Sequence, residues 1–284
     1  MAVTKFIPQI WSAQFLKYLE KALVYGQDGI VNRDHEGEIK NQGDTVKVHD
    51  IGEITVSDYT RNTDINPPET LTDVERLLVI DQAKYFNFQI DDVDAAQVNP
   101  KLMGRAMERS AYTMREVIDR YIAAMYVQVA AGNTIGDDTT PIVLSTPDMA
   151  YELLVDLGTK LDEANIPSVQ RSAIIPPWFH GLIQKDDRFV KAGTTRTDEV
   201  LRNGEVGEAA GFRLLKSNNV PNTAGARYKI QASTPWARSF AMQITETKAY
   251  EPERRFAEAV KGLNVYGAKV LEPKAMAVAT VSKS

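Results

Sequence analysis

Three histidines, three acidic pairs and a series of missing motifs define what chemistry this chain can attempt. His35, His49 and His180 are its only histidines, the side chains whose charge ordinarily changes near neutral pH. None stands in an H-E-x-x-H or other zinc-ligating spacing. His180 follows Trp178 and Phe179, a setting that suits a packed, hydrogen-bonded ring better than a ligand. The pairs Asp91-Asp92, Asp137-Asp138 and Asp186-Asp187 put carboxylates on adjacent residues, which do not face one another on a helix. Asp91-Asp92-Val93-Asp94 lacks the glycine and the terminal glutamate of a calcium loop. All three pairs read as solvated turns. No G-x-S-x-G elbow, phosphate-binding G-x-x-x-x-G-K-S/T loop or G-x-G-x-x-G turn occurs. With no Cys at all, disulfides, thiolate metal sites and a thiol nucleophile are excluded. The residues therefore predict no catalytic, cofactor-binding or metal-ligating set, no cofactor and no enzyme.

With no chemistry to position, the elements themselves carry the signal. A long helix is expected over about 100–131. Asn99 can cap it and Pro100 suits its first position, while Gly132-Asn133 can end it in left-handed backbone. Met103, Met107, Met114, Ile118, Tyr121, Ile122 and Met125 repeat by three, four and seven on one face. Arg105, Glu108, Arg109, Arg115, Glu116, Asp119 and Arg120 are expected on the other. At ~1.5 Å per residue such a helix would span roughly 48 Å. It is either a core helix of an α+β enzyme or a structural spine that other elements cross.

Residues 1–43 read as an arm, with Trp11, Phe15, Leu19 and Leu23 stepping by four along a short helix that Gly26 and Gly29 end. An isolated helix this short is marginal in water and needs something to pack on, in this chain or a neighbour. Residues 44–92 read as a long hairpin. Val46 and Val48 alternate on the outgoing limb, and Leu78, Ile80, Phe86, Phe88 and Ile90 on a return over 77–90. The polar stretch Thr60–Asp73, broken by Pro67-Pro68, forms a tip with no core of its own. Further on, Thr146-Pro147-Asp148 starts a helix with Met149, Leu153, Leu157 and Leu161 on one face. Short strands follow at 172–175, 212–215, 228–232, 240–245, 263–271 and 276–281, with a short aromatic helix at 177–183. Residues 190–210 read as a mobile loop and 252–260 as a charged, helical segment. The expected class is α+β with mostly antiparallel strands.

The 284 residues carry 33 basic and 38 acidic side chains, for a formal net charge of −5. That balance argues against a dedicated nucleic-acid reader with a basic face. There is no run of about 18 apolar residues to span a membrane and no secretory signal pattern in Met1–Gln14. The absence of Cys fits a cytosolic protein, or one that survives outside a cell without redox chemistry.

Several phrases, in order along the chain, carry a resemblance. They are Val31-Asn32-Arg33-Asp34 with Glu36-Gly37-Glu38-Ile39-Lys40-Asn41 and Gly43-Asp44-Thr45-Val46, then Pro176-Pro177-Trp178-Phe179-His180-Gly181-Leu182 and Asp186-Asp187-Arg188-Phe189, and last Val260-Lys261-Gly262-Leu263-Asn264-Val265-Tyr266-Gly267-Ala268-Lys269. Together they resemble the major capsid proteins of tailed bacteriophages, the Hong Kong 97-type fold, and most of all those of long-tailed actinobacterial phages. The resemblance implies an N-terminal arm at 1–43 and an extended hairpin loop at 44–92. It also implies a peripheral domain with the spine helix at 93–140 and 240–284, and an axial domain at 141–239.

The resemblance further implies self-assembly into hexamers and pentamers of an icosahedral shell around double-stranded DNA, in the virion, assembled in the host cytoplasm. Partners would be other copies, a separate scaffolding protein, a portal and decoration proteins, with no membrane contact. Some family members crosslink a lysine of the extended loop to a neighbour; no lysine lies between Thr60 and Asp73, so no such crosslink is expected. The alternatives are a nanocompartment shell of the encapsulin kind, which shares the fold, and a soluble α+β enzyme.

Overall fold

A computed structural model describes residues 23–36, 43–51, 56–59, 61–62, 64, 67, 73–91, 102–185, 205–253 and 257–283. The expected arm helix and the Asn99-Pro100 cap lie outside them. The long helix, α1, runs Leu102–Ala123. Met107, Ala111, Met114, Ile118 and Ile122 are buried on one face, as the periodicity predicts. It is shorter than expected, about 33 Å at 1.5 Å per residue. After Ala123 the chain tightens into a 3-10 turn over Ala124–Gln128. Distant partners take the groups that would have continued the helix. Gln231 Nε2 donates to the Ala123 carbonyl at 2.7 Å, and the Ala130 N–H donates to the Pro273 carbonyl at 3.2 Å.

Three sheets surround this helix. In the first, β1 (Thr45–Ile51) and β2 (Asp73–Val79) pair antiparallel as a hairpin. In the second, β3 (Gln82–Asp91), β11 (Arg238–Tyr250) and β12 (Ala257–Val270) are ordered β11-β12-β3, all antiparallel. The expected return limb at 77–90 is thus two strands in two sheets, divided at Ile80-Asp81. Period-two alternation runs through both and cannot reveal the break. The expected helical segment at 252–260 is strand from Ala257 onward, because Ala257 to Tyr266 pair with β3.

The third sheet has eight strands. Its path is β4 (Thr134–Ile135), β13 (Met276–Lys283), β10 (Arg227–Ser233), β6 (Ser172–Ile175), β8 (Phe212–Lys216) and β7 (Glu205–Ala209). β5 (Ile142–Leu144) pairs with β13, and β9 (Asn222–Thr223) with β10. Met276 to Val281 are all buried, as suits a central strand. The family resemblance implies that 240–284 groups with the long helix. Strand pairing divides that span, since β11 and β12 join β3 whereas β13 joins β10. Residues 205–209, expected in a loop, are a strand because they pair with β8.

Two helices, α2 (Pro147–Glu163) and α3 (Pro177–Ile183), pack beside this sheet. Leu153, Leu157, Leu161, Phe179 and Phe212 share one buried cluster with Met107, Ile118 and Ile122 of α1. A single core therefore runs from the long helix through the eight-stranded sheet. Phe86 and Phe88 of β3 pack against it. A side chain at Gly262 would meet the Phe86 ring at 2.4 Å, which is why the strand carries glycine there.

Candidate functional site

One convergence of residues from distant parts of the chain lies where the N-terminal segment, the hairpin root and α1 meet. The N-terminal segment enters the core at Leu23, Val24 and Tyr25, which are buried. A side chain at Gly26 would lie 3.2 Å from Ile122 and 3.4 Å from Phe240. The carboxylate of Asp119 accepts the Val24 N–H at 3.1 Å and the Tyr25 N–H at 3.0 Å. Arg115 stands 3.9 Å from it. Asp119 is seven residues after Tyr112, on the face that the sequence assigns to solvent. The arm covers that face at its C-terminal end, so Asp119 is fully buried.

Behind Tyr25 lies Arg238, also fully buried. Its guanidinium donates to Gln231 Oε1 and to Ser233 Oγ, each at 3.0 Å. Gln231 in turn holds the end of α1. Burial pushes Arg238 down to about 10 and holds the Tyr25 phenol far above its usual range. The strand beyond is tied to the arm again, since Asn32 donates to the Arg238 carbonyl and accepts from Phe240 N–H, both at 2.9 Å.

The hairpin has its own small core, Val46, Leu78 and Ile80 against Ala241 and Val265. This anchors its root to the outer face of β11-β12. Asp81 accepts the Tyr121 hydroxyl at 2.8 Å. Between root and helix opens a groove of about 360 Å3 lined by Leu77, Val79, Tyr121, Met125 and Lys269. Leu77, Val79, Val56, Tyr59, Tyr85 and Val127 are exposed apolar or aromatic side chains of this half of the molecule.

The groups that the sequence singles out for chemistry stay apart. His180 is buried in α3 with Nε2 unpartnered; burial, then the nearby Lys216, depress its pKa. His49 lies in β1 and His35 in the arm. Asp137 accepts the backbone N–H groups of Thr139 and Thr140, the turn that the sequence predicts. Asp138 differs from that expectation, because it pairs with the buried Lys229 ammonium. Asp91 ends β3; Asp92, Asp94, Asp186 and Asp187 lie outside the described residues. Among the described residues no three metal-binding side chains cluster. The polar groups that organise the fold, Asp119, Lys229 and Arg238, carry no motif. Asp119 and the Gln231 that Arg238 engages have partners about a hundred residues away in sequence.

Asp119 makes a testable pH dependence. Burial pushes its pKa up to about 6, opposed by the Val24, Tyr25 and Gly26 N–H groups and by Arg115. The folded chain then keeps this proton to higher pH than the unfolded chain. Its stabilising contribution is full below about pH 4 and is lost as pH rises through about 6, up to ~3 kcal/mol. Other carboxylates act in the opposite sense, so the difference between wild type and Asp119→Asn isolates the effect. Denaturant midpoints are expected to converge or cross between pH 4 and 6; parallel profiles would exclude the buried carboxylate as the source.

A sequence model of a family described as phage capsid protein matches residues 76–279. Among solved structures, the chain is similar to one from Mycobacterium phage Che8, at 27% identity and TM-score 0.68, covering 87% of this chain and 88% of that one. It is also similar to the capsid of the cyanophage P-SCSP1u, at 17% identity and TM-score 0.69, covering 93% and 90%. An encapsulin complex from Synechococcus elongatus has the same fold at 14% identity and TM-score 0.53, covering 86% and 84%. No curated protein matches the chain.

Proposed function

This chain belongs to the phage capsid protein family, and on that premise we propose that it builds a head of hexamers and pentamers enclosing double-stranded DNA. It is a major capsid protein of Hong Kong 97-type fold, a structural component of the virion that self-assembles into a shell. The observation that carries the proposed mode of assembly is the hairpin. Its root is anchored by five buried residues, while its limbs leave Leu77 and Val79 exposed. A two-stranded ribbon of this kind is marginal alone and is stabilised when a neighbour covers it.

The proposed division follows the strand pairing. Residues 1–43 form the arm and 44–80 the extended loop. The long helix with β3, β11 and β12 forms the peripheral unit. The eight-stranded sheet with α2 and α3 forms the axial unit, and β13 returns to it. A separate scaffolding protein, a portal and decoration proteins complete the proposed set of partners, with assembly in the host cytoplasm and no covalent crosslink from the lysine-free tip. A cargo-enclosing nanocompartment shares the fold, but its likeness is the weaker one.

Electron microscopy of the purified chain tests this reading. Closed shells, or rings of five and six, are expected, and DNA-filled heads in infected cells; a persistent monomer even with candidate scaffolding proteins would overturn it. Deleting residues 60–72 is expected to leave a folded subunit but to lower shell yield by about tenfold, which corresponds to ~1.4 kcal/mol of lost contact. Unchanged assembly would remove the tip from the interface.

A further inference from the structure

The exposed face of α1 is basic in a chain whose net charge is −5. Arg105, Arg109 and Arg120 are exposed and Arg115 is half-buried. Glu108, Glu116 and the buried Asp119 oppose them; Glu116 pairs with Arg120 and Asp119 with Arg115, which leaves Arg105 and Arg109 as the exposed arginines outside these pairs. Beside this face, the end of β8 and the turn after it bring Lys216, Ser217, Asn218 and Asn219 to Tyr112, Arg115 and Glu116, around a polar cleft of about 180 Å3. Arg115 lies over the Tyr112 ring at 4.9 Å. Its Nε is buried on the protein side, where it forms an ion pair with the Asp119 carboxylate at 3.9 Å. The Tyr112 ring is 56% exposed.

We propose that this face of α1 and its cleft are the contact surface for the phosphate backbone of the enclosed nucleic acid. The inference rests on the reading of the chain as the wall of a DNA-filled head, and it places this face on the inside. The chemistry suits a phosphodiester. The Lys216 ammonium and the hydroxyl and amide groups of Ser217, Asn218 and Asn219 line a space that holds one tetrahedral anion, with the Arg115 guanidinium beside it. The exposed Tyr112 ring adds a flat surface beside it. Nothing here reads base edges, so contact is independent of sequence. Each subunit offers few cations, so the hold per subunit is weak and salt-labile, as a polymer that must leave again requires. The competing occupant, a carboxylate from a neighbouring copy, would need these same residues at a subunit boundary.

The test uses the unassembled full chain and a fluorescent DNA duplex of about 20 base pairs, titrated across salt concentrations. The variant is Arg109→Gln with Lys216→Gln, both exposed and outside the core. Its affinity is expected to fall about tenfold and its salt slope by about two relative to wild type. Both forms are then assembled and imaged. Equal affinity and slope in wild type and variant overturn the proposal. So does a variant that no longer forms shells while wild type does, since the face would then be a contact between copies. A peptide of residues 60–76 displacing the duplex overturns it in the same way. Failure of wild type itself to form shells would instead strike the assembly reading, so the two failures are distinguishable.

Discussion

Replacing Ile118 by Asp leaves no soluble native subunit. Ile118 is fully buried on the inner face of α1, within the cluster that joins the long helix to the eight-stranded sheet. A carboxylate there would lose its water and meet only apolar neighbours on that face, since Met114 and Ile122 flank it one turn away on either side. The uncompensated burial costs several kcal/mol even if the group is protonated. Loss of the packed side chain adds a further ~2–5 kcal/mol. The sum approaches the whole stability of an ordinary domain, ~5–15 kcal/mol. Ile118→Val removes one methyl group and is expected to cost only about 1 kcal/mol. Solubility, far-UV circular dichroism and denaturant midpoints separate the two. A native-like Ile118→Asp variant would mean that this face of α1 is open to water.

Gly267→Ala is expected to be damaging by a different route. A Cβ at this position of β12 would lie 2.3 Å from the Val79 carbonyl oxygen and 2.9 Å from the Ile80 Cα. Both are backbone atoms of the hairpin root, so neither can rotate away. The root must lift from the sheet, opening the cluster of Val46, Leu78 and Ile80 on Ala241 and Val265. A loss of about 3 kcal/mol is expected, at the upper end for one added methyl. Hydrogen exchange should rise at the Ile80 N–H, which donates to the Asp44 carbonyl, and shells should form poorly because the loop is no longer aimed. Gly262→Ala meets only the Phe86 ring. A second substitution there, Phe86→Leu, is expected to recover part of its cost, whereas no side-chain change can rescue Gly267→Ala. A Gly267→Ala variant that melts within about 1 °C of wild type would show that the root and β12 are not in close contact.

Much of the local architecture is legible in the residues. The 3.6 period of Met107, Met114, Ile118 and Ile122 names the buried face of α1. Thr146-Pro147 marks the start of α2. The alternation of Phe86 and Phe88 marks β3, and the run Met276–Val281 marks a buried strand. Each of these features is written in side chains a few residues apart. The absence of any motif for catalysis or metal binding is equally local, and the chain-wide phrases point to the capsid family that the comparison over residues 76–279 establishes.

Other features depend on partners far away in sequence, and no window of residues contains them. Asp119 sits on the polar arc of its helix and is buried only because the arm folds over it. Where the helix gives way to the 3-10 turn, Gln231, 108 residues on, takes the Ala123 carbonyl. The return limb divides at Ile80-Asp81, with one half matched by β1 and the other by β12, and alternation looks the same through both. Period and composition state which side of an element is apolar; they do not state what will cover it. The amino-acid sequence by itself therefore determined many of the elements, the apolar face of the long helix and the family. Tertiary structure alone decided which sheet each strand joins, which charges leave water and which basic face remains uncovered. Those outcomes rest on strand pairing and burial between segments separated by most of the chain.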